Sequence, residues 1–248
     1  MQGNEFESAQ RAREWFHALT VPPGMWVIIR VDGRSFSRFT ADRFDKPFDP
    51  KFSELMVDAA KTLLTELGAR YAYTESDEIS VLLPQATDVF GRSLEKLVSI
   101  SAGLASAAFS HACGEVACFD SRVWIGAGTE DVASYFAWRQ ADAARCALNG
   151  WCYWTLRNAG KTAAETTRAL RRTKTADKNE LLFRHGINFN DVPAWQRRGI
   201  GLWHEEYQRT GYDPIRGIGV TATRRRVHVE RDLPMKDAYR EFILGQVA

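Results

Sequence analysis

Residues 70–84 read RYAYTESDEISVLLP, and this stretch decides the fold. Arg70 to Thr74 and Ile79 to Leu83 are short β-prone runs separated by Glu75, Ser76, Asp77 and Glu78, and Pro84 ends the second run. The pattern predicts a hairpin with an acidic tip. Upstream, Trp26 to Val31 is a continuous apolar, β-branched run entered through Pro22-Pro23-Gly24, which predicts a buried strand. Phe52, Leu55, Met56, Ala59, Leu63, Leu64 and Leu67 then recur at helical spacing up to Gly68. Downstream, Leu94 to Phe109 has the Ala-, Ser- and Leu-rich composition of a closely packed helix, and Ala117 to Ile125 predicts a fourth strand. The order is βαββαβ, an α+β fold with a ferredoxin-like or polymerase-palm sheet.

Chain geometry carries that order further. A right-handed crossover makes the first two strands parallel, and in the split form of this unit the third strand lies between them, antiparallel to both. The hairpin tip therefore falls beside the end of the first strand. Asp32, which follows that strand, and Asp77 in the tip are expected to be spatial neighbours.

Beyond Ile125 the pattern turns helical. Asp131 to about Leu156 carries Tyr135, Phe136, Trp138, Trp151, Tyr153 and Trp154, most of them expected in the core. Ala163 to Arg172 and Asp177 to Phe183 predict further helices. Ile200 to Tyr207 and Ile215 to Val229, flanking Gly211-Tyr212-Asp213-Pro214, predict a terminal hairpin. Residues 1–128 are thus expected to form a palm-like catalytic region, and 129–248 a helical and hairpin region packed on it as one compact unit.

The chain has 248 residues, 45% hydrophobic and 26% charged, which excludes disorder, collagen and coiled coil. No stretch has the length and apolarity of a membrane span, and the first twenty residues lack a signal-peptide core, so a cytoplasmic location and no membrane partner are expected. Cys113, Cys118, Cys146 and Cys152 lack the spacing of a zinc site and are expected to be plain buried thiols. The five histidines do not pair at metal-ligand spacing.

The net charge of +2 hides an asymmetry: residues 1–150 hold 15 Lys+Arg against 20 Asp+Glu, and residues 151–248 hold 18 against 11. Basic residues gather at Arg168, Arg171, Arg172, Lys174 and Lys178, at Arg197 and Arg198, and at Arg224 to Arg226. Three such clusters suit a nucleic-acid phosphate backbone.

Carboxylates converging at a sheet edge repel by about 4 kcal/mol per pair at 4 Å and an effective dielectric of 20. A pair of Mg²⁺ ions relieves this, because hard divalent cations take carboxylate and carbonyl oxygens and complete their shells with water and phosphate. Asp32 and Asp77 are the expected ligands, joined by the carbonyl of Gly33, where the missing Cβ permits close approach. The residues alone point to a metal-dependent nucleotidyl or phosphoryl transferase; a palm-type nucleotide cyclase and an RNA-binding module without turnover are the competing classes.

Several stretches carry a more specific signal. Arg30-Val31-Asp32-Gly33-Arg34-Ser35-Phe36 and Phe44-Asp45-Lys46-Pro47, then Ser76-Asp77-Glu78, Phe119-Asp120-Ser121-Arg122-Val123, Trp138-Arg139-Gln140-Ala141-Asp142, Asp177 to Phe183 and Ile187-Asn188-Phe189-Asn190 follow one another in order. Together, over roughly residues 26–203, they resemble the tRNA-His guanylyltransferase family, enzymes that add nucleotides in the 3′-to-5′ direction. The resemblance implies a palm in which Asp32, the Gly33 carbonyl and Asp77 hold two Mg²⁺ ions, supported by Glu78. It places Gly33, Arg34, Ser35, Phe36, Lys46 and Ser76 near the nucleotide, and Arg139, Lys178 and Asn179 near RNA, where the basic cluster supplies Arg171, Arg172 and Lys174 as further expected RNA contacts. Where guanylyltransferases proper carry His-Ile-Asn-Asn-Leu-Tyr-Asn, this chain has Ala144-Arg145-Cys146-Ala147-Leu148-Asn149-Gly150. That departure resembles the guanylyltransferase-like branch, which extends 5′-truncated tRNA by template-dependent addition, rather than enzymes adding a single G. The implied substrates are tRNA and nucleoside triphosphates, GTP and ATP among them, and the implied assembly is a homotetramer.

Overall fold

In the computed structural model, which describes residues 2–247, six strands form one sheet in which every neighbouring pair is antiparallel. The strands are β1 (Trp26–Gly33), β2 (Tyr71–Glu75), β3 (Glu78–Leu82), β4 (Phe119–Gly126), β5 (Ile200–Asp213) and β6 (Ile218–Glu230), in the spatial order β4-β1-β3-β2-β5-β6. The helices are α1 (Gln2–Arg11), α2 (Phe36–Phe39), α3 (Pro50–Glu66), α4 (Leu94–Cys113), α5 (Thr129–Asn158), α6 (Ala163–Leu170), α7 (Thr175–Arg184), α8 (Ala194–Arg198) and α9 (Asp237–Val247). The βαββαβ order stands, with β3 between β1 and β2 as expected for the split form of the unit.

Alternation along β1 sorts its side chains between two cores. Val27, Ile29 and Val31 join Met56, Leu63, Leu64 and Phe109 beneath α3 and α4, whereas Trp26 and Ile28 join Tyr71, Tyr73, Phe136 and Tyr239 beneath α5 and α9. Each fully buried large apolar side chain contributes roughly 1.5–3 kcal/mol relative to exposure. Asp49 starts α3: its Oδ1 accepts the N–H groups of Lys51 and Phe52 at 2.6 and 3.2 Å, with Pro50 in the first turn.

The C-terminal half departs from the expectation in three ways. The hairpin reverses at residues 214–217 rather than at 211–214, because Asp213 pairs with Ile218. Its first strand also joins the sheet, pairing Thr74 with Ile200 and Tyr71 with Trp203, and then runs on as an exposed two-stranded ribbon. Nor is the hairpin terminal: α9 follows and buries Tyr239, Ile243 and Val247, whose four-residue spacing is a helical signal. At the other end, α1 exposes its described side chains and is tied by a Glu7–Arg11 pair at 2.8 Å. The aromatic load of α5 is less buried than expected: Tyr135 and Phe136 are in the core, Trp151, Tyr153 and Trp154 are half-buried, and Trp138 is 53% exposed. Of the four thiols only Cys152 is buried, and all four are unpaired.

Candidate active site

The sheet brings its carboxylates together at one end. Asp32 stands opposite Glu78 on β3 and Asp120 on β4. The Gly33 N–H donates to the Asp77 carbonyl at 2.9 Å, fastening the end of β1 to the two-residue turn between β2 and β3. That turn holds Ser76 at φ 50°, a left-handed conformation costly for a residue with a side chain. The turn is braced by Thr74 Oγ1, which donates to the Glu78 carbonyl at 2.9 Å, and by Ser76 Oγ, which donates to Asp77 Oδ1 at 3.1 Å. The expected Asp32–Asp77 neighbourhood is therefore present, and Gly33 sits in it.

The electrostatics of this end are unbalanced toward negative charge. Burial, then the charge of Asp32, raises the Asp77 carboxyl above the ordinary range, and Lys46 only partly opposes this. Burial and the neighbouring Glu78 push Glu75 up to about 8. Burial also raises Glu78, although Arg139 grips it with Nε on Oε1 at 2.7 Å and Nη2 on Oε2 at 2.8 Å. Glu78 is thereby committed to a two-pronged ion pair, whereas Asp32 has Arg122 Nη2 at 3.7 Å and Asp77 has the more distant influence of Lys46. Among the described residues no three His, Cys, Asp or Glu side chains form a metal cage. Two carboxylates and a backbone carbonyl nonetheless fit Mg²⁺, which binds through few protein oxygens and keeps the remainder of its shell for water and phosphate.

A cavity of about 330 Å³ opens beside Asp77. Lys46, Ser76 and Asp77 supply polar lining, and Phe44, Phe48, Trp154 and Trp195 supply rings. Its size and mixed lining suit a nucleotide-sized ligand. Lys46 Nζ donates to Thr40 Oγ1 at 2.5 Å, and burial lowers its pKa against the opposing pull of Asp77 and Asp49.

Other expected site residues fall in different places. Arg34 and Ser35 are exposed after β1, Ser35 at φ 61°. Phe36 is 2% exposed and packs on Phe39, Phe109 and Phe119, so its ring belongs to the core wall of the cavity. Arg139, expected at RNA, is corrected: it is 6% exposed and turned inward onto Glu78, Glu75 and Asp142. Arg171, Arg172, Lys174 and Asn179 are exposed, while Lys178 Nζ donates to Asn149 Oδ1 at 2.9 Å. The Arg197–Arg198 cluster is structural: Arg197 donates to the Val192 carbonyl and Arg198 to Asp232 and the Leu233 carbonyl. Sequence reasoning missed Arg30, although it lies two residues before Asp32 on the same strand face and was legible by alternation. It also missed the cavity rings, which carry no local signal.

A palm-like sheet with carboxylates at the end of its first strand and in its hairpin tip, beside a nucleotide-sized cavity, defines a nucleotidyltransferase of the palm class. Comparison with known proteins narrows the class. The chain belongs to the tRNAHis guanylyltransferase (Thg1) family, whose model matches residues 9–127, with the Thg1 C-terminal domain model matching 130–237. It is 32% identical over 232 residues to the probable tRNA(His) guanylyltransferase of Dictyostelium discoideum, covering 88% of this chain and 89% of that protein. Against the corresponding Drosophila melanogaster protein it is 33% identical over 195 residues, 74% of this chain and 68% of that one. Among solved structures, a bacterial tRNA(His) guanylyltransferase (Thg1)-like protein in complex with ATP superposes with a TM-score of 0.75 at 27% identity, covering 100% of this chain and 99% of that one. The tRNA(His) guanylyltransferase of Saccharomyces cerevisiae gives 0.70 at 26% identity, over 77% of this chain and 90% of that one.

Proposed function

We propose that the protein adds nucleotides to the 5′ end of tRNA in the 3′-to-5′ direction, matched to a template, and extends 5′-truncated tRNA. The observation carrying this reading is the junction of Asp32, Gly33 and Asp77, of which Asp77 lines a cavity that also presents Lys46. Asp32, Asp77 and the Gly33 carbonyl would hold two Mg²⁺ ions, which when bound activate an attacking oxygen and stabilise a leaving one. Lys46 and Ser76 bind and orient the phosphates of a nucleotide whose base lies among the cavity rings. The 3′-hydroxyl of the incoming nucleoside triphosphate attacks the 5′-phosphorus of the RNA. A new P–O bond forms as pyrophosphate leaves a 5′-triphosphate, or as AMP leaves a 5′ end adenylylated by ATP. Arg139 acts by holding Glu78, which stiffens the strand facing Asp32.

Residues 1–128 are the catalytic palm in this reading, and residues 129–248 meet RNA through the exposed Arg171, Arg172, Lys174 and Asn179 with Lys178. Addition of a single G to tRNA-His is the second reading, supported by the names of the curated relatives. Residues 144–150 weigh against it, because they lack the histidine and most of the amide side chains of the guanylyltransferase motif. The reading includes a cytoplasmic location and a homotetramer; no helix among the described residues is long and apolar enough to cross a membrane.

Incubation with 5′-labelled, 5′-truncated tRNA, Mg²⁺ and nucleoside triphosphates tests the proposal. Template-matched growth by the intact protein and none by Asp32→Ala or Asp77→Ala is expected. Growth by both variants rejects the metal assignment, addition of one G to tRNA-His alone favours the second reading, and cyclic nucleotide made without RNA indicates a cyclase.

A further inference from the structure

We propose that Trp138 is a stacking platform for the terminal base at the 5′ end of the RNA, flanked by the cationic side chains of Arg30 and Arg122. This rests on the nucleotide-addition reading and adds the place where the RNA end sits. Alternation along β1 puts Arg30 on the same face as Asp32, and the β1–β4 register places Arg122 opposite Arg30 and Asp120 opposite Asp32. Above this face, Trp138 of α5 has the Arg30 guanidinium over its ring at 5.4 Å and that of Arg139 at 4.6 Å. The Tyr135 ring meets it edge-on with centroids 5.7 Å apart. These contacts fix the indole, yet 53% of the residue stays open to solvent. A large ring held rigid and exposed beside a catalytic edge is suited to receive another flat, apolar surface.

Two further observations select an RNA base as the occupant. The cavity beside Asp77 is lined by no residue of β1 or β4 and not by Trp138, whose ring instead lies against Arg30 of β1, so the ring stands outside the cavity. Nucleotidyl transfer needs two partners at that edge, and the cavity supplies a place for one. The other place is an open ring, not a pocket. Stacking on one ring is worth only about 5- to 150-fold in affinity, too little to retain a free nucleotide but useful for a base already anchored by a longer chain. The flanking charge agrees: Arg122 is half-exposed, and Arg30 Nε is enclosed without a hydrogen-bond acceptor, with Glu78 Oε2 at 3.8 Å. Arg122, paired with Asp120 at 2.7 Å but half-exposed, can meet a phosphate next to the stacked base, while the enclosed Arg30 adds its positive charge beneath the ring.

The test uses the full chain, its Trp138→Ala and Trp138→Phe variants, and a truncated tRNA carrying 2-aminopurine as its 5′-terminal base. For Trp138→Ala the KM for RNA is expected to rise about 5- to 150-fold, with kcat and the KM for the nucleoside triphosphate nearly unchanged. Emission from 2-aminopurine should be quenched on binding to the intact protein and to Trp138→Phe, but not to Trp138→Ala, and Trp138→Phe should recover most of the RNA affinity. An unchanged RNA KM with full quenching in Trp138→Ala overturns the platform while leaving nucleotide addition standing. A raised KM for the triphosphate instead assigns the ring to the incoming nucleotide and also overturns it. Failure of the intact protein to extend any RNA overturns the nucleotide-addition reading and this proposal with it.

Discussion

The Gly33 N–H donates to the carbonyl oxygen of Asp77 at 2.9 Å, and this bond makes one site of two carboxylates that are distant in sequence. It holds the end of β1 against the hairpin tip, so movement of either disturbs both.

Gly33→Ala tests that junction. An added Cβ would lie 2.4 Å from Cγ of Phe36, whose ring is packed in the core and has little room to retreat. Overpacking of this kind costs about 1–3 kcal/mol. A lowered unfolding midpoint is expected together with a loss of nucleotide addition larger than the stability loss explains. Denaturant unfolding and single-turnover extension measure the two effects.

Glu78 and Arg139 form a buried pair whose halves depend on each other. Removing one partner of such a pair costs about 3–5 kcal/mol, whereas replacing both with apolar residues costs far less. Arg139→Met should destabilise strongly, and Glu78→Leu combined with it should recover part of the loss. A double-mutant cycle in urea checks this; strictly additive losses would contradict the pairing.

Glu75 makes stability depend on pH. Its folded-state pKa of about 8 lies above the ordinary 4.5, so between these values the folded protein keeps a proton that the unfolded chain has released. Stability from this group is fully present below about 4.5 and falls as pH rises toward 8, each unit of difference being worth about 1.4 kcal/mol. Glu75→Gln removes the dependence. Its advantage over the parent should grow from pH 5 to 8 and level off above, when urea midpoints are compared without Mg²⁺.

Lys46→Ala should lower kcat/KM for nucleotide addition by about 10²-fold, the scale for losing one fixed group facing a developing phosphate charge. Thr40→Val, which removes the partner of Lys46 and the Thr40 hydroxyl bond to the Phe36 carbonyl at 2.8 Å but keeps the lysine charge, should have a much smaller effect on kcat/KM. Steady-state extension assays at saturating RNA distinguish them.

Mg²⁺ should raise the unfolding temperature of the parent protein, because a ligand bound only to the folded state stabilises by about 2.7 kcal/mol at a hundred times its Kd. The rise should vanish in Asp77→Asn, whose neutral amide no longer needs the cation. Thermal scans with and without the metal read this directly.

The palm half was legible because its cues are local. The apolar run before Asp32, the helical spacing ahead of Gly68 and the acidic tip fix the elements, and the right-handed crossover in its split form then places β3 between β1 and β2. The carboxylate site followed from that order. The C-terminal half was read less well: α9 followed a hairpin taken as the end of the fold, and the ribbon turn was displaced because residues 211–213 continue the strand.

The sequence by itself determined the element order, the Asp32–Asp77 edge and the family pattern, since each depends on backbone handedness and short-range periodicity. Only the tertiary structure decided that Arg139 turns inward while its neighbour Trp138 stays in the open, and that Lys46 is drawn into a ring-lined cavity. Adjacent helix residues point about 100° apart. Whether a charged or aromatic side chain is buried then depends on which distant strand faces it, and Glu78 meets Arg139 across 61 residues of chain.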